Sequence, residues 1–306
     1  MGMILALAPM QDVTDLAFMR TLSRIGCLPD VLVTPYFRST ATTCAMGDEN
    51  LRCIRENETG CPIHAQLAGS DAAALVRDAT ELLKLPVAGI NLNAGCPSPL
   101  VNRHGAGAAL LRDRENFREI LLRLRDAVPE GKFSVKCRIG WQDPAEFEGI
   151  LALLAEARPD MVMVHLRTRA DLYSERLHWE LGPAAVQSLP CPVLLNGSVD
   201  SPAVAQRALE GTGCAGLMLG RGVVRNPYLF RVLRGGAHPS REEMCNYYNI
   251  LIEETGRILH EGATQAAHCN RMKKYLAFCY DDFGDIQEYA LRRCIDIKQM
   301  RTILTK

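Results

Sequence analysis

The chain has 306 residues, 48% of them hydrophobic, and its 35 basic side chains balance 35 acidic ones, so the formal net charge is zero. This length suits one large α/β domain, or a large domain with a small companion. No segment approaches the roughly 18 apolar residues of a membrane span, and the charge balance gives no support for a nucleic-acid partner. We expect a cytoplasmic monomer without a membrane segment.

Twelve cysteines are scattered along the chain without any C-x-x-C pair. Metal ligands usually come in close pairs, and a chain of this length does not need disulfides for stability. We therefore predict no metal site and interpret most cysteines as small buried residues of a reducing compartment.

Short apolar runs alternate with helix-like stretches up to about residue 235, a pattern typical of α/β folds. Eight runs are predicted strands, over residues 4–9, 30–35, 62–69, 87–93, 133–139, 161–167, 192–197 and 215–220. Between them, stretches such as 71–84 and 115–128 repeat apolar residues at helical spacing. Eight strands with helical crossovers predict a (β/α)₈ barrel, whereas the alternative, a doubly wound sheet, usually has fewer strands.

The pattern changes at RGGAHPS (234–240), whose glycines and proline mark a linker. The remaining residues read as helices alone, over 241–260, 268–283 and 286–304. We therefore predict a barrel domain over residues 1–235 and a small helical bundle domain over residues 240–306.

Residues with binding chemistry occur at the ends of most predicted strands. Because a barrel gathers the C-terminal ends of its strands around one mouth, we expect these residues to converge there. They are Pro9, Met10, Gln11, Gln66, Asn93, Lys136, His165, Asn196, Gly197, Ser198, Gly220 and Arg221.

This set of side chains suits a flat, phosphorylated cofactor. The amides of Gln66 and Asn93 can hydrogen-bond a planar ring, and Lys136 can stabilise negative charge on its reduced form. The glycines of NGS (196–198) and LGRG (219–222) allow close approach of a phosphate, which Arg221 can neutralise. FMN fits this description best. For His165, a buried histidine satisfied by the backbone is the alternative interpretation.

Cys96 stands in NLNAGCPSP (91–99), at the end of a predicted strand. Pro97 keeps the preceding residue out of the helical region and Gly95 allows close backbone approach, so we predict a rigid elbow that carries the thiol. Over a flavin, a thiol can protonate the carbanion formed when hydride adds to a conjugated double bond. A buried structural thiol is the alternative.

The sequence resembles the dihydrouridine synthase family. The matching segments cover nearly the whole chain in order and are LAPMQDVTDLAFM, HAQLAG, INLNAGCPSPLVNRHGAGAALL, FSVKCRIGW, MVMVHLRTR, LLNGS, LMLGRGVVRNPYLF and RMKKYLAFCY. The resemblance implies an FMN-binding barrel with a helical RNA-binding domain, which reduces uridine in transfer RNA. It further implies that the strand-end residues bind FMN, that NADPH or NADH reduces the flavin, and that Cys96 protonates C5 of uracil after FMN N5 delivers hydride to C6.

RMKKYLAF (271–278) supplies the candidate RNA-binding residues Arg271, Lys273 and Lys274. A charge cluster of this kind is often only a solvated helix face, and a chain of zero net charge has to bind RNA through a local patch. Two alternatives stay open, an FMN-dependent reductase of a free pyrimidine and an RNA-binding protein that has lost catalysis.

Three positions depart from the family pattern. Ser198 stands where an acidic residue is common, Leu166 where a small residue follows the histidine, and Pro35 where a glutamate is common. We expect Ser198 to keep a hydroxyl near the phosphate. We expect Leu166 and Pro35 to lie nearer the substrate side.

Overall fold

The computed structural model describes residues 2–47 and 49–305. Its nine strands all pair in parallel within one sheet. They are β1 (Ile4–Leu7), β2 (Val31–Val33), β3 (Phe37–Arg38), β4 (Ile63–Ala68), β5 (Gly89–Ala94), β6 (Phe133–Arg138), β7 (Met161–His165), β8 (Val193–Asn196) and β9 (Gly216–Leu219). The order of neighbours is β2-β1-β9-β8-β7-β6-β5-β4-β3, and β2 also pairs with β4, which closes eight strands into a barrel.

The eight predicted strands are confirmed, and β3 is an addition to them. This two-residue strand pairs with the end of β4, with Phe37 opposite Leu67. Two residues are too few to show any periodicity, so sequence reasoning did not detect β3.

Helices cover the outside of the barrel and follow it at the C-terminus. The barrel helices are α1 (Leu16–Arg24), α2 (Arg52–Arg55), α3 (Ala72–Leu82), α4 (Pro99–Asn102), α5 (Arg114–Ala127), α6 (Phe147–Ala157), α7 (Gly182–Ser188), α8 (Pro202–Thr212), α9 (Arg221–Arg225) and α10 (Leu229–Leu233). The predicted helices at 71–84 and 115–128 are α3 and α5. Asp71 and Asp113 cap them by accepting hydrogen bonds from the N–H groups of Ala74 and Asn116.

Side chains alternate between the barrel interior and the helical layer along every strand. In β7, Val162 and Val164 belong to the large core beneath the helices, whereas Met163 belongs to a separate apolar cluster inside the barrel. Leu166 is fully buried in the outer core. The expectation that Leu166 lies near the substrate side is therefore wrong, because His165 takes the inward position and Leu166 the next, outward one.

Four helices follow the barrel, α11 (Arg241–Ile258), α12 (Gln265–Leu276), α13 (Asp285–Arg293) and α14 (Ile297–Leu304). α11 packs against α1, and the buried Glu254 accepts hydrogen bonds there from Arg24 (2.9 Å) and Arg257 (2.6 Å). The predicted single helix over 286–304 is in fact two helices. Asp296 starts the second one, with its carboxylate accepting from the N–H of Gln299, a cap that the sequence interpretation overlooked.

All twelve cysteines are free thiols. Within residues 2–47 and 49–305, no three His, Cys, Asp or Glu side chains gather as metal ligands would. None of the helices described above is both long and apolar enough to cross a membrane.

A candidate active site at the barrel mouth

The barrel interior has an apolar part and a polar part. The apolar cluster comes mainly from β1, β2, β8 and β9 and consists of Ala6, Ala8, Val31, Val33, Met163, Leu194 and Met218. The polar part comes from β4, β5 and β6, whose buried inward side chains include His64, Gln66, Asn91, Asn93 and Ser134. An interior that buries so many polar groups needs a hydrogen-bond partner for each of them.

The structure brings the two predicted amides, Gln66 and Asn93, into direct contact. Asn93 Nδ2 donates to Gln66 Oε1 at 2.8 Å, and Gln66 Nε2 donates to Asn91 Oδ1 at 2.7 Å. Gln66 lies two residues before the end of β4 rather than at its end, so it is deeper in the barrel than the sequence interpretation placed it.

Cys96 is held on the elbow that its neighbours predict. Its N–H donates to Asn93 Oδ1 at 2.9 Å, and its carbonyl oxygen accepts from Ala108 N (3.0 Å) and Asn102 Nδ2 (2.8 Å). At Gly107, where φ is +64°, a Cβ atom would lie 2.9 Å from that same carbonyl oxygen. The loop after β5 therefore closes on Cys96 from both sides and leaves its thiol partly exposed.

Four cations surround His165 at the mouth. Burial, together with the charges of Arg138, Lys136, Arg167 and Arg221, holds the pKa of His165 well below its usual value, so the imidazole is neutral. Arg167 Nη1 lies 3.1 Å from His165 Nε2. Because a guanidinium can only donate, Nε2 accepts and the ring proton lies on Nδ1.

Lys136 is the cation that is predicted to stabilise negative charge on the cofactor ring. Burial and the charge of Arg138 lower its pKa to about 8, while the nearby thiols of Cys137 and Cys96 act in the opposite direction. Within the described residues, its ammonium group has no ion-pair partner. Such an unpaired, desolvated cation favours an anionic ligand.

Arg138 and Arg167 are site residues that sequence reasoning missed. Each is 1% exposed. Arg138 donates to the carbonyl oxygens of Gly95 (2.9 Å), Thr168 (2.7 Å) and Leu172 (2.9 Å), and so ties the loop after β5 to the loop after β7. Strand alternation could have revealed both arginines, since each stands two residues after a predicted site residue and shares its inward face.

Arg167 also accounts for one departure from the family pattern. Its Nη2 donates to Ser198 Oγ at 3.0 Å, and its Nε donates to the carbonyl oxygen of Ser174 at 2.8 Å. Asp171 is the carboxylate whose charge acts on both Arg138 and Arg167, but it also accepts from the hydroxyl and N–H of Thr168. The charge of this carboxylate therefore acts on two of the four cations.

Tyr173 covers part of this cationic surface. Its side chain is 58% exposed, and its ring centroid lies 5.6 Å from the guanidinium carbon of Arg138 and 5.1 Å from that of Arg221. The preceding Leu172 has φ of +50°, an uncommon backbone angle for leucine. An aromatic ring so placed can stack on a planar ligand.

The loops after β8 and β9 contain glycines, at which a ligand can approach the backbone closely. Gly197 has φ of +143°, and a Cβ atom there would lie 2.4 Å from Leu177 Cδ2, so only glycine fits. Asn196 Nδ2 donates to the carbonyl oxygen of Met218 at 2.7 Å and so joins the two strands. A Cβ atom on Gly220 would lie 3.5 Å from Met10 Sδ, which places the loop after β1 beside the loop after β9.

The remaining predicted site residues lie at the same mouth. Pro9 and Met10 are partly buried, and Gln11 is exposed in the turn that follows β1. Met10 N donates to Thr14 Oγ1 at 2.8 Å, which fixes this turn at the start of α1.

The candidate RNA-binding residues lie on α12, and two of them pair with carboxylates of the barrel. Arg271 pairs with Asp15, which also accepts from Tyr275 Oη at 2.8 and 2.9 Å. Lys274 Nζ lies 3.1 Å from Asp12 Oδ2. In the part of the chain that the structure describes, Lys273 has no ion pair.

These features define a class of protein. A parallel (β/α)₈ barrel carries, at the C-terminal ends of its strands, a fixed thiol, amide groups, four cations and a carboxylate whose charge acts on two of those cations. The mouth of such a barrel is where its enzymes bind ligands, and this donor set suits an anionic ligand rich in acceptors.

The family model "Dihydrouridine synthase (Dus)" matches residues 6–299. The chain is 34% identical to tRNA-dihydrouridine synthase B of Pseudomonas aeruginosa, over 83% of this chain and 77% of that protein. It is also 30% identical to tRNA-dihydrouridine(16) synthase of Cupriavidus necator, over 98% of this chain and 96% of that protein. The chain belongs to the dihydrouridine synthase family, a family of enzymes.

Solved structures agree on the fold alone. A structure of TcOYE with pHBA has a TM-score of 0.57 at 10% identity and covers 82% of this chain and 93% of its own. Morphinone reductase in complex with tetrahydroNAD has a TM-score of 0.53 at 12% identity, over 78% and 88%. The barrel architecture predicted from the sequence is confirmed.

Proposed function

We propose that this enzyme reduces uridine to 5,6-dihydrouridine in transfer RNA, with FMN as cofactor and NADPH or NADH as reductant. One observation carries the proposal, namely the thiol of Cys96 fixed on an elbow at a mouth where four cations surround His165. The names of the related enzymes supply the substrate class.

The donor set at the mouth fits FMN. Arg221, with the glycine backbones of 197 and 220 and the hydroxyl of Ser198, would hold the phosphate. The N–H groups of Gln66 and Asn93 would face the acceptor-rich edge of the ring, with Lys136 neutralising negative charge there. Further contacts would come from Pro9, Met10, Gln11, His165 and Asn196. When bound, FMN would supply the hydride that adds to C6 of the uracil ring.

Cys96 then holds the second hydrogen. The C5=C6 double bond becomes single as hydride adds to C6, and the proton on Cys96 Sγ passes to C5. The thiolate regains a proton from solvent before the next turnover. Because both the N–H and the carbonyl group of Cys96 are hydrogen-bonded, the donor is fixed in place and little orientation entropy is lost in the transfer.

Lys136 and Tyr173 have supporting roles in this proposal. With a pKa of about 8, Lys136 is mostly charged at neutral pH and stabilises negative charge that develops beside it. Tyr173, exposed beside Arg138, offers a stacking surface to a uracil that leaves the RNA helix.

RNA contacts would extend from the mouth to the C-terminal helices. We propose residues 1–235 as the catalytic domain and residues 240–306 as the RNA-binding domain, in a cytoplasmic monomer. Arg271, Lys273 and Lys274 remain the candidates there. Lys273 is the most available of the three, since the other two pair with carboxylates.

The test begins with the visible spectrum of the purified enzyme. Flavin bands should be present, should bleach anaerobically on addition of NADPH, and should return on addition of unmodified transfer RNA. Cys96→Ala should keep the bands and the bleaching but form dihydrouridine about 10²–10⁴-fold more slowly, as measured by mass spectrometry of the RNA.

Cys61→Ala is the matched control, because Cys61 is also partly buried but precedes β4 at the opposite end of the barrel. This variant should behave as the unaltered enzyme. A protein that cannot be reconstituted with FMN would contradict the flavin assignment. Reoxidation by free uracil but not by transfer RNA would contradict the RNA assignment, and full turnover by Cys96→Ala would contradict the role of the thiol.

A further inference from the structure

The buried hydrogen bonds on the polar side of the barrel form one continuous chain. It begins at the N–H groups of Gly95 and Cys96, which donate to Asn93 Oδ1, and continues through Gln66 to Asn91 Oδ1. Asn91 Nδ2 then donates to Ser134 Oγ at 2.9 Å. The serine hydroxyl lies 3.2 Å from the carbonyl oxygen of Ile90 on the neighbouring strand and 3.0 Å from Nδ1 of the buried His64.

Every amide in this chain has one possible orientation. A backbone N–H can only donate, so Asn93 must turn its oxygen toward Cys96 and its Nδ2 toward Gln66. Gln66 must then accept with Oε1 and donate with Nε2, which requires an oxygen on Asn91. The donors therefore all point away from the Cys96 elbow and into the barrel.

Asn91 stabilises these orientations of the amide groups from a position remote from the mouth. Its side chain is fully buried, and its Nδ2 also lies 3.5 Å from Met163 Sδ of the apolar cluster. If the oxygen of Asn91 were absent, Gln66 Nε2 would be left without its buried acceptor, and the Gln66 side chain would shift to find another one. The hydrogen bond from Asn93 Nδ2 to Gln66 Oε1, which helps to fix the Cys96 elbow, would then be weakened.

We propose that Asn91 is a positioning residue, which orients the Gln66 and Asn93 amides so that the Cys96 elbow is fixed. A consequence concerns the ligand. Because both acceptor positions of Asn93 Oδ1 are occupied by backbone N–H groups, Asn93 can offer the mouth only an N–H donor. It therefore selects a hydrogen-bond acceptor on the bound ring, and this part of the inference rests on the proposed function.

Two substitutions of Asn91 distinguish a role in orienting the Gln66 amide from a role in packing. Asn91→Leu keeps a similar volume but leaves Gln66 Nε2 without its acceptor. Asn91→Asp restores the order, because a carboxylate still accepts from Gln66 and the hydroxyl of Ser134 can turn to donate to it. A protonated Asp accepts from Gln66 and donates to Ser134 in the same way as the native amide.

The first readout is the rate at which iodoacetamide alkylates Cys96 in the flavin-free protein, followed by mass spectrometry with Cys61 as the internal reference. Asn91→Leu should change this rate several-fold, and Asn91→Asp should return it to that of the unaltered protein. Leu194→Ala, in the apolar part of the interior, is the packing control. It should lower stability without changing the Cys96 rate.

The second readout is catalytic. Asn91→Leu should lower kcat for dihydrouridine formation by as much as about 10²-fold, since a misplacement of about 1 Å has such an effect. Flavin reduction by NADPH, which does not use Cys96, should fall less than kcat, because only the altered flavin contacts of Gln66 and Asn93 would affect it. Asn91→Asp should restore kcat.

An unchanged Cys96 rate in Asn91→Leu would overturn the proposal. So would an Asp variant as impaired as the Leu variant, or a Leu194→Ala control that shifts the rate equally. If Asn91→Leu does not fold, Ser134→Ala removes the acceptor of Asn91 Nδ2, together with the hydroxyl contacts to Ile90 and His64, and should change the Cys96 rate in the same direction. Its failure to do so would count against the role. If the Cys96 rate responds while the unaltered enzyme forms no dihydrouridine, the positioning role stands and the proposed function fails.

Discussion

Two clusters of basic side chains, one at the barrel mouth and one on α12, differ in what faces them. At the mouth, Lys136, Arg138, Arg167 and Arg221 act on one neutral histidine, and a single carboxylate, Asp171, acts on two of them. Their mutual repulsion persists in the protein because the rigid strands hold them together.

On α12 the basic residues have acidic partners from the barrel. Arg271 pairs with Asp15 and Lys274 with Asp12, both in the segment that joins β1 to α1. Asp15 is also the N-cap of α1, since it accepts from the N–H of Phe18 at 3.0 Å. These cations stabilise the contact between the C-terminal helices and the barrel.

Basic residues at a predicted site therefore have two different uses. Cations without carboxylates indicate a site for an anionic ligand, whereas cations matched to buried carboxylates indicate an internal contact. The substitutions below test whether each cluster follows this rule.

The largest stability effect is expected at the α12 contact. Arg271→Met should destabilise the protein by about 3–5 kcal/mol, because it leaves the buried carboxylate of Asp15 without its cationic partner. Urea unfolding measures the loss. Lys274→Met, at the exposed pair, should cost only about 0–1 kcal/mol. Equal and small losses for both variants would mean that Arg271 is available to RNA after all.

Lys136→Met tests the cluster at the barrel mouth, and its effect on stability should depend on pH. In the flavin-free protein the folded-state pKa of Lys136, about 8, lies below its ordinary value of 10.5. The unfolded chain therefore binds more protons between these values, and the contribution of Lys136 to stability rises with pH across this window, by at most about 1.4 kcal/mol per pH unit.

Urea unfolding of the flavin-free protein from pH 7.5 to 10.5 checks this prediction. The difference in stability between the unaltered protein and Lys136→Met should move in favour of the unaltered protein as pH rises through about 8 to 10.5. Flavin affinity should fall about tenfold or more in the variant, since a hydrogen bond to a charged group is lost. A difference that is flat with pH would show that Lys136 is not desolvated among other cations.

The smallest effect is expected at Lys273. Lys273→Ala should leave stability unchanged, raise KM for transfer RNA and reduce the slope of log KM against log salt by about 1. Lys132→Ala is the matched control, because Lys132 is an exposed lysine at the opposite end of the barrel, just before β6. A loss of salt dependence in the control alone would place the RNA surface elsewhere.

Much of the site could be predicted because it depends on chain topology. Once eight strands and their crossovers are recognised, a barrel brings every strand end to one mouth, and Lys136, His165 and Arg221 converge without further information. The Cys96 elbow is equally local, since Gly95 and Pro97 restrict the backbone on either side of the thiol.

The sequence by itself therefore determined the barrel, the strand-end chemistry and the elbow, because periodicity and neighbouring residues specify them. Only the tertiary structure decided which charges are paired and which way each amide points. Asp15 and Tyr275 are 260 residues apart, and Gln66 contacts Asn91 on the adjacent strand. Such pairings follow from side-chain packing between distant segments, and no local pattern in the chain encodes them.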